Sequence, residues 1–171
     1  MVAFHLPPNS SGVLNVDLST LSAATDVAYG FGIPLESIAD LNFQSSQDAG
    51  LPERVLLYNA ALHFRYRVPV RSVIILLRPT ADHIGITGRH FYAVPGQNGK
   101  LQFEYEVIRL WELSVQQMLL AGPGVLPLAM LCQLPEGVPV EEALAGVVRE
   151  IDRRVREEAS FSEASALMMA T

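Results

Sequence analysis

The octapeptide Ser37-Ile38-Ala39-Asp40-Leu41-Asn42-Phe43-Gln44 decides how this chain folds. Successive side chains of an extended strand point to opposite faces, so Ala39, Leu41 and Phe43 share one face while Asp40, Asn42 and Gln44 line the other. Such a polar file is either a solvated sheet face or the floor of a site. Upstream, the glycines and proline of Gly30-Phe31-Gly32-Ile33-Pro34 form a turn. It joins a strand within Ala23 to Gly30 to the octapeptide as an antiparallel hairpin. Val13 to Leu18 offers a further short strand, and Met1 to Gly12 reads as an irregular leader with neither a basic start nor a long apolar run, unlike a signal peptide.

Downstream, Pro52 suits the first turn of a helix, and Leu51, Val55, Tyr58, Leu62 and Tyr66 recur at helical spacing to about Arg67. Arg54, Tyr58, Ala61 and Arg65 form an adjoining stripe. The aliphatic run Val73 to Leu77, bounded by prolines, reads as a strand buried on both faces and parallel to the octapeptide. Arg89 to Val94 and Leu101 to Leu110 flank a turn and predict a second hairpin. Ser114 is placed to cap a short helix to Leu120 ahead of the breaker Gly122-Pro123-Gly124. Met118 to Cys132 is uncharged, too short and too broken for a membrane span, and reads as buried chain. Val140 to Glu158 is an amphipathic helix with Leu144, Val147, Val148, Ile151 and Val155 on one stripe.

The expected fold is therefore α/β: a mixed central sheet with flanking helices and a C-terminal amphipathic helix. Its divisions are a leader (1–12), an α/β domain (13–135) and a C-terminal helical segment (136–171). Composition supports a packed interior, since half of the 171 residues are hydrophobic and 18% are charged. The net charge of -6 argues against broad electrostatic binding of nucleic acid, and Lys100 is the sole lysine. Cys132 has no second thiol, which suits a reducing cytoplasm and a buried structural role. Walker, dinucleotide, nucleophile-elbow and zinc patterns are all missing, and the four histidines do not cluster.

One constellation carries chemistry. Asp26 stands at the start of the hairpin's first strand, and Asp40, Asn42 and Gln44 stand on the second. Magnesium-dependent phosphodiester hydrolysis needs hard oxygen ligands from adjacent strands and a further group to align the attacking water. Taken alone, Asp26 is equally readable as an edge carboxylate, Arg54 as the ion-pair partner of Glu53 or Asp48, and Tyr58 as a buried core residue.

The segments ADLNFQSSQDAGLPERVLLYNAALHFRYRVPVRSVIILLRPTAD, ITGRHFYAV, LQFEYEVIRLWEL and GVLPLAMLC resemble, in this order, the Rpn (YhgA-like) transposase-associated proteins. These are recombination-promoting nucleases of the PD-(D/E)XK superfamily, and the resemblance runs from about Val16 to Arg154. It implies a PD-(D/E)XK-like sheet and a metal-dependent DNA endonuclease. Asp26 takes the place of the family's aspartate, Asn42 that of the glutamate in its E-x-Q motif, and Gln44 that of the glutamine. Asp26 with Asn42, or else Asp40, would hold Mg²⁺ or Mn²⁺, with the Phe43 carbonyl as a further ligand. Gln44 would position water, and Arg54 and Tyr58 would meet DNA.

The implied partners are DNA and, through the C-terminal helix, a second copy of the chain; neither a membrane nor a small-molecule cofactor is expected. Two departures stand out: the family's leading helix is shortened to Met1 to Gly12, and Asn42 is neutral where an acid is usual. Asp40 lies on the same face but about 6.5–7 Å away along the strand. The alternative function is a catalytically degraded nuclease fold, kept as a DNA-binding or protein-interaction module.

Overall fold

A computed structural model describes residues 10–14, 26–93 and 100–169. These fall into two compact units that adjoin in sequence at Arg109 and Leu110. The first unit is built on a five-stranded mixed sheet with the order β1-β2-β3-β4-β7. Its strands are β1 (Ser10–Leu14), β2 (Val27–Phe31), β3 (Ser37–Gln44), β4 (Val70–Leu76) and β7 (Glu106–Arg109). The chain is thus mixed α/β, as the alternation of strand and helix patterns predicts.

The hairpin β2–β3 pairs antiparallel, with Ala28 opposite Asp40. Its turn uses Gly32 at φ 90°, where an added Cβ would lie 2.6 Å from Glu36 Cγ and 2.8 Å from the Pro34 carbonyl oxygen. Only glycine reaches that conformation without strain. Helix α1 (Leu51–Tyr66) follows, with Pro52 in its first turn, and returns the chain to β4, which pairs parallel with β3 from Ile38–Val70 to Gln44–Leu76. Leu62 of α1 is fully buried against Ala28 and Ile38 of the sheet, so one helix face seals one sheet face. Val73, Ile74, Ile75 and Leu76 are buried whichever face they take, as a central parallel strand requires.

Several expectations need correction. Strand β1 takes in Ser10 to Gly12 of the supposed irregular leader, while residues 15–18 and 23–25 of the two early strand assignments lie outside the described residues. Asp26 occupies a bend just ahead of β2. The run Leu101 to Leu110 is two strands: β6 (Lys100–Glu104) pairs antiparallel with β5 (Arg89–Ala93) in a separate two-stranded sheet, and β7 pairs parallel with β4. The break falls at Tyr105, whose N–H donates to the Gly88 carbonyl at 3.0 Å. Beyond it, Arg71 holds Glu106 through two hydrogen bonds of 2.5 and 2.6 Å, across the new β4–β7 pairing.

The second unit holds α2 (Val115–Leu119), a 3₁₀ segment (Pro123–Leu131) and α3 (Val140–Met169). Ser114 takes the N-cap position of α2, but its hydroxyl donates to the Gln116 side chain and caps no backbone N–H. The supposed breaker at Pro123 opens the 3₁₀ segment instead, a first-turn role that proline's fixed φ suits. Leu126, Ala129 and Cys132 are buried, but Leu120 is 83% exposed, so Met118 to Cys132 is only partly buried chain. Burial pushes the Cys132 thiol up to about 11, in keeping with a structural residue.

On α3 the buried residues are Ala143 and Val147, whereas Val148 and Val155 of the predicted stripe are half exposed. The elements packed against α3 within its unit are short, and Arg154 anchors it by donating to the Leu119 carbonyl. They cover a narrower face than the sequence offers. Among the described residues no helix is long and apolar enough to cross a membrane.

Leu62→Ala removes the side chain that joins α1 to Ala28 and Ile38. We expect it to cost about 2–5 kcal/mol in urea denaturation, the range for a fully enclosed leucine. A loss within error of zero would mean that α1 does not seal the sheet.

Candidate functional site: a buried polar row beneath one helix

The polar file of β3 is enclosed at Asp40 and Asn42 and opens to half-burial at Gln44. Asp40 is completely buried and Asn42 is 4% exposed, because α1 lies over their face of the sheet. Register explains how a carboxylate survives there. Ala28, Asp40 and Ser72 stand abreast on β2, β3 and β4. The Ser72 hydroxyl donates to Asp40 Oδ2 at 3.1 Å. Above it, the Asn59 amide of α1 donates to Ser72 Oγ at 3.0 Å and to the Val70 carbonyl at 2.9 Å. A buried charge without partners would cost several kcal/mol, and this relay supplies partners from helix and sheet together.

Asp26 joins the same row from the exposed side. Its Oδ2 accepts the Phe43 N–H at 2.7 Å, across the end of the hairpin. Asp26 stands in the bend one residue ahead of the Val27–Leu41 pair, so its carboxylate takes the Phe43 N–H at the end of the ladder. Asp40 and Asn42 share one face of β3. The N–H and C=O of a strand residue point the same way, which turns the Phe43 carbonyl toward the Asp26 edge as well.

Tyr58, buried on α1, lies within the same electrostatic field. Burial raises its hydroxyl pKa above the ordinary value; the charge of Arg54 lowers it, while those of Asp26, Asp40 and Asp48 raise it further. The structure therefore brings together Asp26, Phe43, Asp40, Asn42 and Tyr58.

Arg54 and Gln44 have local duties. Arg54 pairs with Asp48 at 2.5 Å, one of the two ion pairs open to it on sequence grounds. Asp48 also accepts the Gly50 N–H at 2.9 Å, which fixes the loop entering α1. Burial raises the Asp48 carboxyl, but the hydrogen bond from Arg54, the Gly50 N–H and the Arg54 charge outweigh it, and the net shift is downward. The Gln44 amide donates one N–H to the Ser46 carbonyl at 2.5 Å, which holds the side chain against its own loop. Lys100 sits on β6, in the separate two-stranded sheet.

The donors can be weighed against a divalent metal. Asp26, Asp40, the Asn42 oxygen and the Phe43 carbonyl are hard oxygen ligands of the kind Mg²⁺ takes. Among the described residues, however, no group of three His, Cys, Asp or Glu is placed to hold an ion. Asn42 Nδ2 is buried with no hydrogen-bond partner. A carboxylate at that position would have no donor to satisfy, but it would add a second buried charge on the face of Asp40. The donors are of the hard-oxygen type, but the described residues do not form a closed cage for an ion.

Ser72 and Asn59 had no assigned role in the sequence reading. The available signal is a serine at the head of the aliphatic run of β4, since a buried hydroxyl demands a partner. No family model matches the chain, and no curated protein or solved structure matches it either.

Asp48→Asn keeps an oxygen for the Gly50 N–H and removes only the charge. The folded carboxyl lies below the unfolded value of about 3.9, so its stabilisation is present above that value and is lost as pH falls through the folded pKa. Denaturation at pH 7 should show the variant weaker by about 0.2–1 kcal/mol, as for a partly exposed pair. The difference should vanish below the folded pKa, and a difference independent of pH would refute the assignment.

Proposed function

We propose that this chain carries a nuclease-like site of the PD-(D/E)XK kind, similar to the Rpn (YhgA-like) proteins, and that it hydrolyses DNA phosphodiester bonds with Mg²⁺ or Mn²⁺. The observation that carries the reading is the Asp26–Phe43 hydrogen bond. It fixes an exposed acid at the end of β3, the strand that carries Asp40 and Asn42. Asp26, the Asn42 oxygen and the Phe43 carbonyl would hold the metal, which would supply positive charge to the attacked phosphate. The Gln44 oxygen would orient water. Arg54 would contact phosphate by exchanging Asp48 for it, and Tyr58 would close the site from α1. A reducing cytoplasm suits the single thiol, Cys132.

A second reading has its own support. Asp40 is fully buried and already hydrogen-bonded by Ser72, and Asn42 brings no charge. Both features fit a degraded nuclease fold kept as a DNA-binding or protein-interaction module, dimerising through α3.

Supercoiled plasmid separates the two. The nuclease reading expects Mg²⁺- or Mn²⁺-dependent nicking by the wild type, reduction to background in Asp26→Ala, and tighter metal dependence in Asn42→Glu, which restores the missing charge. If calorimetry detects no divalent-ion binding at millimolar concentration and no nicking occurs, the site is not catalytic.

A further inference from the structure

The end of α1 farthest from Asp26 has features that packing does not require. His63, Phe64, Arg65 and Arg67 are all exposed, within five residues of a chain that is otherwise acidic. Phe64 is 70% exposed, which removes a large apolar ring from the core for no gain in burial. The Arg67 guanidinium stands over that ring at 4.5 Å, and Arg65 stands 5.6 Å from the centroid of Tyr66. The His63 Nδ1–H donates to the Val68 carbonyl at 2.8 Å, turning Nε2 outward.

Arg67 is also strained. It is the C-cap of α1 with φ 59° and ψ 27°, and it is the one non-glycine residue at positive φ among the described residues. Helices that end this way usually place glycine there, because a Cβ in the left-handed region is unfavourable. The helix dipole favours cations near this end, which accounts for His63 and Arg65. It accounts neither for an exposed phenylalanine nor for an arginine held in the left-handed region. Strain retained beside an exposed aromatic–guanidinium stack has the form of a binding site.

We infer that the His63–Arg67 cap of α1 binds single-stranded nucleic acid, with a base stacking on Phe64 and phosphates meeting Arg65 and Arg67. Aromatic faces interleaved with cations suit this ligand, since every base has a face to stack and every linkage carries a charge. The choice of nucleic acid over another polyanion rests on the phosphodiester reading above. The cap lies about 16 Å along α1 from Arg54, three helical turns on, so Arg54 and Arg65 share one side of the helix. It is a holding site separate from the Asp26 site.

The test is fluorescence anisotropy of a labelled, mixed-sequence DNA strand of about 20 nucleotides, in EDTA, with the full chain carrying Asp26→Ala. Cleavage then cannot enter the measurement, and loss of nicking elsewhere leaves this result untouched. Phe64→Ala should weaken binding about fivefold or more. Arg67→Gly should weaken it too, reduce the slope of log K against log salt by about 0.7, and raise Tm by about 2–4 °C as the cap relaxes. Three outcomes overturn the inference: no binding by the parent protein, unchanged binding in both variants, or binding to phosphatidylserine vesicles with none to the strand. A lower Tm in Arg67→Gly also overturns it, because the arginine would then serve the fold.

Discussion

The fully buried carboxylate of Asp40 is the constraint to which the rest of the first unit is arranged. A charge enclosed between helix and sheet is tolerable only if hydrogen bonds replace its water, and Ser72 supplies one of them. Ser72 reaches Asp40 only if β4 lies beside β3 in the observed parallel register. A slip by one residue would turn Ser72 to the opposite face and place Arg71 or Val73 over the acid. Asn59 then ties the same serine to α1. The apolar contact of Leu62 with Ala28 and Ile38 supplies the adhesion between helix and sheet, and the Asn59–Ser72–Asp40 relay supplies the alignment. Specific register is the best-attested use of such buried polar groups.

The same alignment makes a site possible. Asp26 is exposed and bonds to the Phe43 amide, whereas Asp40 is enclosed, so the two acids differ in access to solvent. Burial first, and then the charges of Asp26, Asp40 and Asp48, raise the Tyr58 hydroxyl pKa against the lowering charge of Arg54. Asp40 is the enclosed acid whose bond to Ser72 ties β3 to β4 in register. Asn42, on the same face as Asp40, keeps a buried amide nitrogen without a hydrogen-bond partner.

Much of this was legible in the sequence, for a physical reason: period-2 alternation and period-3.6 recurrence report directly on which side of an element is buried. Ser37 to Gln44 and Leu51 to Tyr66 emerge with almost the predicted bounds because each has a clear period and a turn signal at both ends. The β6–β7 break was hidden because Leu101, Phe103, Tyr105 and Val107 keep strict alternation through Tyr105, and the change of partner depends on the distant Gly88 carbonyl. The α3 stripe was misjudged for a similar reason. Periodicity gives the width of an apolar face, but the neighbouring elements decide how much of it is covered. At the site, the face shared by Asp40 and Asn42 could be read from the pleat. Their burial could not, because it depends on where α1 lands. The Arg54–Asp48 pair was foreseeable as one of two options, and choosing between them required the loop geometry that the Gly50 N–H sets.

Charge distribution gives α1 a second importance. In a chain of net charge -6 with one lysine, long-range attraction for a polyanion is weak, so anion contacts must come from arginines held in place by structure. Several arginines are committed to acids within the same unit: Arg71 to Glu106, Arg109 to Asp82, Arg153 to Glu150 and Glu157, and Arg156 to Asp152. Arg67 is different, since its guanidinium rests on an exposed ring instead of a carboxylate. Arg54 is intermediate, because its partner Asp48 lies in a loop and the pair is partly exposed, where such interactions are weak enough to be exchanged for a phosphate. Arg54 and Arg67 therefore stand at opposite ends of the helix that also covers Asp40. A shift of α1 on the sheet would disturb the buried relay and both arginine positions at once, so the hydrogen bonds that keep Asp40 in register also fix the spacing of any anion-binding surface on this unit.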